Sequence, residues 1–318
     1  MPAKIQMSQA YCVELKDTVS ITEARRAYFS LPEPRSRFTF HCPYSECLTL
    51  SKPPTITGVN YASLPEDTYR AAHFRDPHVG HVDGCPWQGE EPAADDDSQA
   101  DAASVKDREA KRKLHDFINE FDGRSKSKAD GGVPGTPGSD PVARQRDGQR
   151  GVAKGNSFSD RNRTSSFERL VEYYRNAHKD LNTKEFFALR LKVAGEGDMA
   201  LVSFFPQVSN AVPGSPSRVV HGGARLAPRK GSGFMLWFMD RIDGKGVYLR
   251  VTSKEMDEYR FRGFFNDTLA QEDADYFRVF GLGRVVLAES KKSYRLEVDD
   301  LNQLTLFAVK KKQPTSSN

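Results

Sequence analysis

Three of the four cysteines and four of the seven histidines in this 318-residue chain fall between positions 41 and 85. They come in two runs, "FHCPYSEC" with Cys42 and Cys47, and "HFRDPHVGHVDGC" with His73, His78, His81 and Cys85. Thiolate and imidazole are the ligand types that zinc takes, and a structural zinc wants four of them from two tight turns. A metal bound this way would force both runs into one compact unit, more than hydrophobic patterning does anywhere in the region. The spacing marks Cys42 and Cys47 as the first pair and Cys85 as one member of the second, with His73 or His81 as the fourth ligand.

The order Cys, Cys, then "HF" and a later Cys is similar to the N-terminal zinc-binding module of competence protein CoiA-like families, over residues 38 to 88. That resemblance implies Cys42, Cys47, His73 and Cys85 as ligands. The chain departs from the pattern in two ways. Its cysteine pair has four intervening residues instead of two, and Asp76 stands where those families tend to carry a second histidine. No His-x-Glu is paired with a Cys-x-x-Cys, so a zinc deaminase signature is absent and a structural ion is expected. Cys12, in "AYCVEL", stands apart as a small buried apolar residue.

Apolar residues make up only 37% of the chain, and Gly and Pro total 42, so part of it cannot bury a core. Residues 1–88 are expected to form the zinc-binding module. Residues 89–163 read as a flexible linker, acidic from Glu90 to Ala103 and glycine-rich from Asp122 onward, which interrupts itself with an amphipathic helix over 104–121. Residues 164–311 read as a second domain, and 312–318 as a solvated tail. Within the second domain "SSFERLVEYYRNAH" predicts a helix opened by a Ser165–Glu168 capping box. Hairpins are expected around Gly195–Asp198, around Asp243-Gly244, and in several short strands from Asp275 to Val309. The fold class is therefore α+β: a small zinc-binding module followed by a mainly antiparallel domain with helices, for which a small barrel of the oligonucleotide-binding type is a candidate architecture.

Charge is near balance at +4, so any case for an anionic partner depends on where the cations sit. Residues 199–239 contain no Asp or Glu, and Arg218, Arg225, Arg229 and Lys230 fall in a Gly-, Ser- and Pro-rich stretch that reads as a cationic loop suited to phosphates. "EYRFRGFF" interleaves Arg260 and Arg262 with aromatic residues, a pattern shared by single-strand binding surfaces and by ordinary cores. No phosphate-binding loop and no Gly-x-Ser-x-Gly elbow occurs. Glu289-Ser290-Lys291, with Asp273 and Asp275 upstream, loosely echoes an Mg²⁺-dependent nuclease, yet it reads equally as a hairpin turn.

The expectation is a non-enzymatic nucleic-acid-binding protein, DNA or RNA, with a structural zinc site. A protein-interaction adaptor working through the 104–121 helix, and an E-x-K nuclease, are the alternatives. Cysteines set beside histidines suggest a reducing, cytoplasmic setting, and no run approaches the roughly 18 apolar residues of a membrane helix, so no membrane partner is expected.

Overall fold

The computed structural model describes residues 7, 9–64, 72–87, 102–114, 117–123, 163–164 and 166–311. Its first unit is a five-stranded sheet of short strands: β1 (Gln9–Cys12), β2 (Asp17–Ser20), β3 (Phe40–His41), β4 (Thr55–Val59) and β5 (His73–Arg75). They lie in the order β2-β1-β3-β4-β5, every pair antiparallel. Between β2 and β3 runs the helix Ile21–Phe29. Its Ser20 hydroxyl accepts the Glu23 amide while the Glu23 carboxylate accepts the Ser20 amide, closing both ends of a capping box. One face of that helix packs with Cys12, Phe40, Ile56 and Phe74 in a core that also contains Cys42, Cys47 and Cys85.

The second unit combines the helices Ala102–Arg112, Phe167–Asp180, Thr183–Ala188 and Leu201–Phe204 with a small sheet of β6 (Glu120–Phe121), β7 (Arg163–Thr164), β8 (Arg190–Val193) and β9 (Gly197–Ala200), ordered β7-β6-β8-β9. Here Ala110, Leu114, Ile118 and Phe121 are buried against Leu170, Val171 and Phe186. This corrects the expected 104–121 helix. The helix ends at Arg112, Phe121 lies in a strand, and the apolar positions of the segment are spent in the chain's own core. Most of the rest of the expected linker, and the 312–318 tail, lie outside the described residues.

The third unit is a closed five-stranded barrel. Strands β10 (Arg218–Leu226), β11 (Phe234–Ile242), β12 (Lys245–Val251), β13 (Ala274–Leu287) and β14 (Ser293–Glu297) pair in the ring β10-β11-β12-β14-β13-β10. The β12–β14 contact is parallel and the others antiparallel. Between β12 and β13 lie the helices Ser253–Glu258 and Arg262–Leu269, whose Phe264 and Phe265 are fully buried in the barrel core. The β11–β12 turn puts Asp243 and Gly244 at φ 49 and 73, the left-handed pair a tight hairpin demands.

Strand β13 is one 14-residue strand where several short ones were expected. It pairs with β15 (Leu304–Lys310) along its first half and with β14 along its second. At the change of partner sits Gly283, where an added Cβ would lie 1.9 Å from the Glu297 carbonyl oxygen, so only glycine lets β14 approach there. The closed barrel and helical cover make the chain α+β, as its alternating apolar pattern implied.

The expected cationic loop is corrected too: "RVVHGGARL" is strand β10 of the ring, and only the residues flanking it, 214–217 and 227–233, are loop. Its freedom from acids reflects two buried barrel strands, whose inward positions are apolar by necessity.

Nor do the first and second halves of the chain behave as bodies on a tether. Arg25 and Arg26, both buried, leave the helix Ile21–Phe29 and enter the rest of the protein. Arg25 bonds Glu168 at 3.0 Å and Glu172 at 2.8 Å, and Arg26 bonds the other Glu168 oxygen at 2.9 Å, then Tyr259 and the Leu304 carbonyl. Thr22 and Ser166 hydroxyls meet at 2.7 Å. Ser166, not Ser165, caps the helix Phe167–Asp180, and Glu168 faces these arginines instead of completing a capping box.

Candidate metal centre and barrel face

Cys42 follows β3 directly, its amide donating to Pro54, and Pro43-Tyr44 turn the chain into a one-turn helix, Ser45–Leu48, that carries Cys47. On the other side Asp76-Pro77 reverses the chain after β5: the His78 amide donates to Asp76 Oδ1 at 2.8 Å, with His78 itself at φ 58. Gly80 and Gly84, both left-handed, bracket His81, and a Cys85–Val82 backbone bond closes the second knuckle.

These two knuckles bring together Cys42, Cys47, His81 and Cys85, whose ligand atoms all lie within 4.8 Å of one another, the only such group among the described residues. Cys42 and Cys85 sulfurs are 3.7 Å apart; His81 Nδ1 is 3.7 Å from the Cys47 sulfur and 3.3 Å from that of Cys85. A zinc–sulfur bond of about 2.3 Å sets the edge of a tetrahedron near 3.8 Å, so the group has the size of a four-coordinate site. It could hold a metal ion. All three sulfurs are free thiols and buried. Burial pushes the Cys42 and Cys85 thiols above their ordinary range, with the neighbouring sulfurs acting on both, so a cation entering here must displace protons.

His73 does not join the group, which corrects the ligand set implied by the resemblance. It lies on β5 opposite Val59, where strand pairing and not the knuckle decides its direction. His81 takes the place because its turn, not its neighbourhood in sequence, faces the cysteine pair. Asp76 is no base for chemistry. Its Oδ1 lies 3.1 Å from His81 Nε2, on the far side of the ring from the sulfurs.

The cationic residues divide. Arg225, Arg229 and Lys230 are exposed at the end of β10 and in the loop after it, and Arg229 is braced by the Ser232 and Gly233 carbonyls and Asn266. Arg218 instead pairs with Glu196 at 2.7 Å and covers the Phe204 ring, facing the second unit. Arg260 lies against Phe261, and Arg262 donates to the Asp257 carbonyl; both stand on the helical connection, off the outer face of the sheet. Of the aromatic residues interleaved with them, Phe264 and Phe265 are fully buried core, while Tyr259 and Phe261 are partly buried. Glu289 and Lys291 form the β13–β14 turn, while Asp273 and Asp275 sit at the other end of β13. Fourteen residues of strand separate them by roughly 40 Å. The nuclease constellation is therefore not assembled.

Sequence reasoning missed the most conspicuous surface feature. Arg225, Trp237, Tyr248 and Arg295 are consecutive partners across β10, β11, β12 and β14, forming one row on the outside of the barrel. Trp237 is 42% exposed, unusual for this side chain, and its ring centroid lies 5.1 Å from that of Tyr248. Met239, 50% exposed, extends the apolar part along β11. The signal was present in "FMLWFMD", where Trp237 falls between inward Leu236 and Phe238. No protein-family model, curated protein or solved structure matches the chain. Among the described residues no helix is long and apolar enough to cross a membrane.

Proposed function

We propose that this protein binds single-stranded nucleic acid on the outer face of its barrel, and that the Cys42–Cys47–His81–Cys85 group holds a structural zinc. The observation that carries the first part is the Arg225–Trp237–Tyr248–Arg295 row. Two adjacent aromatic rings offer faces for unpaired bases, and Arg225 at one end offers a donor fork for phosphate, while Arg295 at the other is paired with Glu297, which a phosphate would have to displace. Arg229 and Lys230 add charge in the neighbouring β10–β11 loop. In oligonucleotide-binding barrels the second and third strands bear the ligand, and here those are β11 and β12. Likeness of architecture does not by itself assign function, so the weight rests on the side chains.

Zinc is favoured over other cations by three thiolates and one imidazole in tetrahedral arrangement. Four protein ligands leave no coordination position for a substrate, so the ion would hold the two knuckles together. The adaptor alternative loses part of its support, since the apolar positions Ala110, Leu114, Ile118 and Phe121 of the segment proposed to recruit partners are buried in the second unit's own core.

Fluorescence anisotropy of labelled single- and double-stranded DNA and RNA, at about 50 and 200 mM salt, tests the reading. Single strands are expected to bind, less tightly at the higher salt. Trp237→Ala is expected to weaken that binding by about 1–3 kcal/mol, or roughly 5- to 150-fold. Absence of binding to any strand, or an unaffected Trp237→Ala variant, refutes it.

A further inference from the structure

We infer that Asp76 is the positioning residue of the metal centre, holding His81 so that Nδ1, and not Nε2, is the metal ligand. The inference rests on the metal-site reading above. His81 is fully enclosed, its Nδ1 toward the Cys47 and Cys85 sulfurs and its Nε2 toward Asp76 Oδ1. A carboxylate only accepts hydrogen bonds, so Nε2 must carry the proton, and a neutral imidazole then has its lone pair on Nδ1. The other tautomer would aim an N–H at the thiolates and a lone pair at the carboxylate, and a ring turned over would present only C–H groups to both.

The turn bond from the His78 amide occupies only one Asp76 oxygen and does not by itself account for the burial of the whole carboxylate. Its side chain is 3% exposed, Oδ1 is engaged by the His78 amide and His81, and buried Oδ2 has no hydrogen-bond partner, the His78 ring standing 3.8 Å away. Enclosing a carboxylate with half its acceptor capacity unused is costly. What it returns is the orientation of His81. Pro77 and the left-handed His78 set Asp76 at the start of the same turn that presents His81 and Cys85, so the ligand and its support come from a single ten-residue stretch.

The test is a long-range ¹H–¹⁵N correlation spectrum of the full chain, ¹⁵N-labelled at histidine and loaded with zinc, together with zinc competition against a chelator. His81 is expected with metal on Nδ1 and a proton on Nε2. Asp76→Ala is expected to lower zinc affinity about 10- to 100-fold, and Asp76→Asn, whose amide oxygen can still accept from Nε2, to recover most of it. Metal on His81 Nε2, or unchanged affinity in Asp76→Ala, overturns the inference while leaving the zinc site standing. A wild-type protein that takes up no zinc overturns the site itself. The wild-type spectrum decides the ligating nitrogen even if a variant fails to fold.

Discussion

In the N-terminal unit the side chains at the centre are Cys42, Cys47, Cys85 and the enclosed His81, surrounded by strands of two to five residues. In the barrel the corresponding positions belong to Leu236, Phe238, Val247, Leu249, Phe264 and Phe265, on strands of up to 14 residues. Long strands that alternate inward apolar residues can close a ring and bury enough surface to be stable through the hydrophobic effect alone. A small unit of strands two to five residues long buries less, and a cross-link or an ion at its core would supply what is missing. The two regions therefore differ in what would unfold them, and the buried Arg25–Glu168–Arg26 bridge decides how far one can fail without the other.

The largest effect should come from the proposed zinc: its removal from the loaded protein, or Cys47→Ser, is expected to withdraw on the order of 10 kcal/mol from the N-terminal unit. Hydrogen exchange should then lose protection at β1, β3 and β4 while Leu249 and Val279 in the barrel stay protected. Equal loss in both regions would erase the distinction drawn here.

A second effect belongs to the bridge. Glu168→Ala leaves Arg25 and Arg26 buried without their shared carboxylate and is expected to cost about 3–5 kcal/mol in urea denaturation, with the two regions unfolding in separate steps. A cost under about 1 kcal/mol would mean that apolar contact, such as Phe29 on Phe264, does the joining.

The smallest effect is confined to the outside of the barrel. His221, on β10, accepts from or donates to Tyr174 at 3.2 Å and is stacked on Phe280; burial, with Arg278 nearby, pushes its pKa down from 6.5 to about 4. The folded protein thus keeps His221 neutral where the unfolded chain takes a proton. Its contribution to stability is full above pH 6.5 and is lost as pH falls toward 4, by up to about 3 kcal/mol. Urea midpoints measured at pH 7 and pH 4.5 should therefore differ less in His221→Gln than in the wild type. An unchanged pH slope would place the titration elsewhere.

Much of this architecture was legible in residue order. Alternation in "FMLWFMDRIDGKGVYLRVTS" places β11, β12 and their turn, because a strand with one buried face repeats every two residues and Asp-Gly tolerates the left-handed turn. Clustering of Cys and His placed the candidate metal centre, because few other roles gather thiols with imidazoles. The amphipathic pattern of 104–121 was read as a single helix, and it failed where Phe121 found a strand partner: a three- or four-residue spacing of apolar residues is also met by a helix that ends and a strand that begins.

What tertiary structure alone decided was every choice between equivalent residues. His73 and His81 have the same side chain and comparable spacing, and only strand pairing of one and the turn around the other separates them. Glu168 has the spacing of a capping residue but is drawn inward by two arginines some 140 positions away, an electrostatic gain that local sequence does not encode. Arg225, Trp237, Tyr248 and Arg295 become neighbours only through the register of four strands. Local composition determines which elements form and which side chains suit a metal, because those depend on near neighbours along the chain. The Cys42–Cys47–His81–Cys85 grouping, the bridge and the aromatic row depend on which elements pack together: the pairing of β5 and the turn after it settle the first, the seating of the N-terminal helix the second and the closing of the barrel the third.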